Sequence, residues 1–334
     1  MSDKQAARDP YFDNAKLILI FLVIFGHLIQ PFVATHGVLE DVYYFIYTFH
    51  MPAFVLISGY FSKHYARKGY YRELVKKLLF PYICFQIIYS LFNVLINLDS
   101  RVHLSLFNPK WSLWFLLSMF FWQLLLLVFG NIQPVLGLFL AFSFGMLAGY
   151  ADGIDSFLSL SRTIVFFPFF LLGFYATPAQ FQRVRQRRMI FYGLAIFLLL
   201  GNIIRRLEQA NKYWFFGSQP YDHFLENPEV GGVVRLLVYT MSLCAIFAFF
   251  TFVPRKRYVF TKWGQNTLYT YLLHGFVVKG LRSKDVASLP FNSWTFLIVI
   301  LLSVVLTAGL SSVNWAKLFR TCWQTVRKVT RKSG

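Results

Sequence analysis

Three histidines stand inside runs of otherwise apolar sequence: His27 within 17–32, His50 within 42–60 and His274 within 268–278. An ionisable side chain is expensive in lipid, and where one is kept it marks a functional position by default. A neutral imidazole accepts a proton near neutral pH, so each is a candidate general base. His50 is followed by Met51-Pro52. A helical proline frees a backbone carbonyl, which is tolerated at membrane depth where it lines a polar cavity. Three of the seven histidines therefore reach similar depth on three different helices. A hydrogen-bonded structural role is the plain alternative for any one of them. Three histidines are a conceivable metal set. No carboxylate within the spans completes a familiar site, and no metal is expected.

Basic residues supply the second element. Lys16 lies eleven residues before His27. That is almost three helical turns, so the two side chains share a face about 16 Å apart along the axis. Lys76 and Lys77 precede Pro81-Tyr82, with Arg67, Lys68 and Arg72 close by. Most of these read as charges that orient a membrane protein. Together with Lys16, one or two are candidates to bind the phosphates of a nucleotide-like donor from the cytosol.

The elements that position these residues are transmembrane helices. Of the 334 residues, 57% are hydrophobic, 20% aromatic and only 14% charged, and mean hydropathy is +0.53. A typical soluble domain is about 25% charged, so lipid must solvate much of this surface. A hydrocarbon core needs about 20 apolar residues per helix. Ten spans are expected, near 15–33, 42–60, 75–97, 111–129, 132–150, 160–176, 189–207, 232–253, 263–281 and 293–313. The fold class is an all-α polytopic membrane protein with ten helices. The run after the polar start, Met1 to Asp9, lacks a small-residue cleavage site and reads as a retained helix. Net charge is +19, but the Lys and Arg cluster in alternate loops (61–74, 177–188, 254–262) and after 313. Membrane orientation explains that pattern better than nucleic acid does, and it places both termini in the cytoplasm. Arg162 and Arg235 fall at span edges on the opposite side. There too lies the longest loop, about 208–231, with Glu208, Asp222, Glu226 and Glu229 beside Tyr213, Trp214, Phe215, Phe216 and Tyr221. It reads either as a surface for a sugar-like ligand or as an interfacial anchor. Cys84, Cys244 and Cys322 are too far apart for a metal motif or a disulfide framework.

Several segments, in order, resemble membrane acyltransferase family 3, and most closely its fucose 4-O-acetylase-like branch. They are Phe12-Asp13-Asn14-Ala15-Lys16 followed by His27, Tyr47 to Phe54 with Ile57-Ser58-Gly59-Tyr60, and Lys76-Lys77 with Pro81-Tyr82. Leu113-Trp114-Phe115-Leu116, Phe167 to Phe174 and Gly264 to His274 follow. The resemblance covers about 11–313. It implies ten helices and transfer of an acyl group, usually acetyl from acetyl-CoA, to a hydroxyl of an envelope glycan or glycan-lipid precursor. It maps the family's basic residue and first histidine onto Lys16 and His27. Many relatives have a Trp…Glu element where this chain has Trp114 and Ser118, and carry a further extracytoplasmic domain. Here the chain ends soon after the tenth span, which implies a stand-alone enzyme or one that hands its acyl group to an envelope-biosynthesis partner.

The expected organisation is a cytoplasmic segment 1–14, a membrane domain 15–313 and a basic cytoplasmic tail 314–334, in the cell membrane. His27 is the expected base, His50 and His274 its helpers, and Lys16, Lys76 and Lys77 the donor-binding cations. The rival class is a secondary transporter or exporter, for which two related halves with broken helices are expected. No such repeat is visible.

Overall fold

In the computed structural model, residues 8–151, 153–154, 157–207, 211–284, 290–313 and 315 are described. Among them the chain is helical, with no strand. Ten principal helices follow the expected order. They are α1 Pro10–Ile29, α2 Gly37–Tyr60, α3 Tyr70–Leu95, α4 Trp114–Phe129 and α5 Pro134–Leu147. Then come α6 Leu160–Tyr175, α7 Met189–Arg206, α8 Gly231–Phe252, α9 Thr267–Arg282 and α10 Ser293–Ser312.

Local chemistry sets several of these boundaries. The Asp9 carboxylate accepts the Tyr11 amide at 3.0 Å and Pro10 opens the first turn of α1, a preferred start because proline lacks a donor that would be orphaned there. Asn292 caps α10 in the same way through the Thr295 amide. In α3 the turn Val75–Leu79 is π-helical, just ahead of Pro81. The proline ring clashes with the carbonyl four residues earlier, and a widened π turn is one way to relieve that clash.

Among the described residues, eight helical segments are long and apolar enough to cross a membrane. The fifth and ninth expected spans fall short of that length. The fifth ends at Leu147 and tightens into a 3-10 turn at Ala148–Tyr150. The ninth window opens with a 3-10 segment, Val259–Gln265, so the α-helix begins only at Thr267. Hydropathy counts apolar residues and is blind to such changes of helix type.

Two small residues seat α2 against α6. A Cβ on Gly59 would lie 1.9 Å from the Phe170 carbonyl oxygen, and one on Gly173 would lie 1.9 Å from that of Leu56. The two backbones touch, as small residues permit where lipid supplies no hydrophobic drive between helices. Several buried polar side chains are satisfied by backbone carbonyls of neighbouring segments, as a low-dielectric interior favours. Asn14 donates to the carbonyls of Pro254 and Lys256, the Trp122 indole to the Thr163 carbonyl and Arg235 to that of Trp214. The outer faces carry exposed apolar side chains such as Phe139, Phe191, Leu198, Leu237 and Ile298, a lipid-facing surface.

Candidate active site

The chain alternates direction, so the C-terminal end of α1, the start of α2, α4, α6 and α8, and the end of α9 lie together at one end of the bundle. A cavity of about 210 Å³ opens there. Its walls include His27 and Gln30 from α1, Tyr47 and His50 from α2, Trp111 and Ser112 before α4, Arg162 from α6 and Arg282 from α9. Phe215 and Phe216, from the α7–α8 connection, close it over.

His50 is buried, and its Nδ1 lies 2.8 Å from the Ile46 carbonyl. A carbonyl can only accept, so Nδ1 carries the proton and Nε2 keeps the lone pair. His27 is half-buried, and its Nδ1 has no hydrogen-bond partner. Its ring lies 4.6 Å from the Trp111 ring and 5.6 Å from that of His274. The carbonyl of His27 accepts Arg282 Nη2 at 2.7 Å, and the same nitrogen reaches Gln30 Oε1 at 2.7 Å. A cation thus caps the C-terminal end of α1, where the helix dipole favours it.

His274 behaves differently. It is fully buried behind His27, with Nδ1 3.2 Å from the Thr270 carbonyl, and does not border the cavity. Its ring packs against that of His27, with centroids 5.6 Å apart. Among the described residues no three His, Cys, Asp or Glu side chains are grouped as a metal ion requires.

Trp111 is the strained member of the wall. Its φ is +50°, a left-handed conformation that costs an ordinary residue about 1–2 kcal/mol. Its ring rests directly on Gly275, where a Cβ would approach to 2.0 Å. Only a glycine on α9 lets the indole sit beside both His27 and His274.

The opposite end of the bundle carries a cleft of about 380 Å³. It is bordered by Lys16, Ser58, Tyr70, Glu73, Lys77, Met119 and Gln123. Lys16 Nζ is 2.8 Å from Asp13 Oδ1, and Lys77 is 2.6 Å from Glu73. Lys76, on the same π turn, is exposed and stays outside the cleft. A neck separates cleft from cavity. On α2, Met51 borders the cavity and Ser58 the cleft, with Phe54 between; along α4, Ser112 borders the cavity and Met119 the cleft, with Phe115 between. The two phenyl rings meet edge to face, with centroids 6.2 Å apart and an interplanar angle of 70°. Seven residues of helix make the neck about 10 Å long.

The profile of the acyltransferase domain family matches residues 9–312. The chain belongs to this family and is an acyltransferase. Nodulation protein NolL of Mesorhizobium japonicum is 26% identical over 301 residues, which cover 81% of this chain and 77% of that protein. No solved structure matches.

The sequence reading singled out His27, His50 and Lys16 as candidates, and the structure places the first two on one cavity and the third on the cleft at the other end. It missed Arg162, Trp111 and Arg282. Arg162 was legible as a charge inside the apolar run 160–176 but stood near enough to its edge to pass for an orienting charge. Glu208 lies outside the described residues. Of the loop's other named residues, Trp214, Phe215 and Tyr221 are buried, Tyr221 packing against Gly149 and Gly231, while Asp222, Glu226 and Glu229 are exposed. Phe215 and Phe216 of this loop border the cavity.

Proposed function

We propose that this membrane acyltransferase moves an acetyl group from cytosolic acetyl-CoA to a hydroxyl of an envelope or exported glycan, free or lipid-linked. The observation that carries the reading is that one helix, α1, borders both openings, with Lys16 in the cleft and His27 in the cavity. Lys16, helped by Lys77, binds a phosphate of the donor by a charge-assisted hydrogen bond. The extended thiol-bearing arm crosses the neck and presents the thioester to the cavity. His27 takes the proton of the acceptor hydroxyl as it attacks, because a hydroxyl is a poor nucleophile at its own pKa. His50, its tautomer set by Ile46, accepts a hydrogen bond that orients the same hydroxyl. The basic loops support a cell-membrane protein with a membrane domain over 15–313 and with 1–14 and 314–334 in the cytoplasm. A second reading exchanges the two histidines. It is favoured by the His50 hydrogen bond, since a base held by a third group is the usual arrangement.

Purified protein incubated with radiolabelled acetyl-CoA and glycan acceptor tests the reading. An enzyme releases free CoA and labels the acceptor. A transporter moves substrate and leaves the thioester intact, and that outcome would discard the proposal. Orientation is read by cysteine labelling in a protein lacking native cysteines. Asp222 is exposed where Ser218 is buried, so Asp222→Cys is the informative site. It should react with an impermeant reagent in intact cells, and reaction only after permeabilisation would invert the topology.

A further inference from the structure

Arg162 is a charge without a counter-charge. It borders the cavity near one end of α6. Among the described residues it makes no hydrogen bond and no ion pair. Its guanidinium lies 5.0 Å from the Trp114 ring, and its remaining electrostatic neighbours are the phenols of Tyr47 and Tyr271. The Tyr271 hydroxyl is itself donated to the Ser112 carbonyl at 2.6 Å. No Asp or Glu borders the cavity. The other arginine there is already engaged, since Arg282 holds the end of α1. The remaining buried arginine of this half, Arg235, is turned away from the cavity and donates to the Trp214 carbonyl. A desolvated cation is costly unless something pairs with it, and this one, over the Trp114 ring, lies on the wall of the same cavity that His27, His50 and Ser112 border.

We infer that Arg162 is a catalytic residue that binds the oxyanion formed during acyl transfer, an inference that rests on the proposed reaction. The acceptor oxygen attacks the thioester carbonyl carbon and a C–O bond forms. The carbonyl π pair moves onto oxygen, and the hydroxyl proton passes to His27. The negative charge now on the former carbonyl oxygen is the partner that Arg162 lacks. When the carbonyl reforms, the C–S bond breaks, its electron pair leaves on sulfur, and the thiolate takes the proton from the imidazolium. Arg162 is neutralised only while the tetrahedral species exists, which is the condition for lowering a barrier and not merely tightening substrate binding. A preorganised donor in a site of low dielectric serves this purpose without reorganising during the reaction.

The test uses the full chain in lipid nanodiscs with acetyl-CoA and two hydroxyl probes, methyl α-L-fucopyranoside (neutral) and methyl β-D-glucuronide (acidic). Arg162→Met should lower kcat by about 10²–10³-fold on both probes, the usual loss on removing an oxyanion donor. KM for acetyl-CoA should stay within about twofold. Arg162→Lys, which keeps the charge but not the fork, should recover part of the rate. Equilibrium binding of CoA to each variant confirms that the bundle has folded. A loss confined to the glucuronide would make Arg162 a binder of acidic acceptors and overturn the inference. So would a defect in KM alone. A wild-type protein that releases CoA with neither probe would instead refute the acyl-transfer chemistry assigned here to the cavity.

Discussion

Replacing His27 by alanine separates chemistry from folding more cleanly than any other change in this molecule. The imidazole sits against Trp111 at 4.6 Å and His274 at 5.6 Å, with one ring nitrogen unpartnered. The backbone carbonyl that anchors Arg282 is kept in the variant. What folding loses is ring packing at the edge of an existing cavity, so about 1–2 kcal/mol is expected, below the 2–5 kcal/mol of a large truncation in a closed core. What the reaction loses is its base, typically 10²–10⁴-fold, or about 2.7–5.4 kcal/mol of barrier. The assay is CoA release in nanodiscs at saturating donor and acceptor, alongside a melting curve and CoA binding. His27→Ala should melt within a few degrees of the parent, bind CoA normally and turn over at no more than about a hundredth of its rate. Retention of more than about a tenth of the rate, under about 1.4 kcal/mol of barrier, refutes the assignment. In that event His50→Ala should carry the large loss, because its Nε2 is the other imidazole nitrogen held ready to accept a proton.

Three further outcomes follow from the geometry. Lys16→Ala should raise KM for acetyl-CoA about tenfold while Lys16→Arg keeps it near the parent, since both cations pair with phosphate; unchanged donor affinity in a correctly inserted Lys16→Ala protein means that Lys16 only holds Asp13. Gly275→Ala forces a methyl to 2.0 Å from Trp111 and 2.1 Å from the Tyr89 hydroxyl. It should destabilise by about 1–3 kcal/mol through overpacking and reduce kcat further by displacing the indole from His27; thermal melts paired with turnover measure both, and a variant with parental values on each sinks the role given to Trp111. In the loop before α4, hydrogen bonds from Asn93 and then Lys110 hold the Asp99 carboxyl below its usual range. Such a group favours the folded loop above its unfolded pKa and loses that contribution as pH falls through the lower folded value, so hydrogen exchange across 96–110 should quicken only below about pH 4. An Asp99→Asn protein should exchange fast at every pH.

The helices were readable because lipid imposes a single rule, a long apolar run, and eight of the ten expected runs form helices of spanning length among the described residues. The same rule made His27 and His50 conspicuous, since a polar residue in such a run is a local contradiction. It could not say that His274 stands behind His27, because depth on separate helices carries no information about rotation. Lys76 and Lys77 looked equivalent in sequence. Both stay exposed on the π turn that holds them, and Lys77 borders the cleft where Lys76 does not. Trp111 went unnoticed because its importance lies in a backbone angle and in a glycine far along the chain, neither of which leaves a mark in a hydropathy profile. The aromatic loop was ambiguous in composition, and only packing decided that its rings face inward.

The short neck between Phe54 and Phe115 also shapes an electric field. The histidine cavity, of about 210 Å³, is large enough to hold water, and the cleft at the other end is larger. Where water enters from both sides, a membrane potential no longer falls evenly over ~30 Å of hydrocarbon; it falls across the ~10 Å between the two rings, so the local field is about threefold steeper. Moving a unit charge through that field costs about 2.3 kcal/mol per 100 mV, whereas an acetyl thioester carries no charge and crosses without electrical work. On the proposed reaction, a neutral acyl thioester would pass between Phe54 and Phe115 without electrical work, whereas a proton or ion crossing there would work against the steepened field.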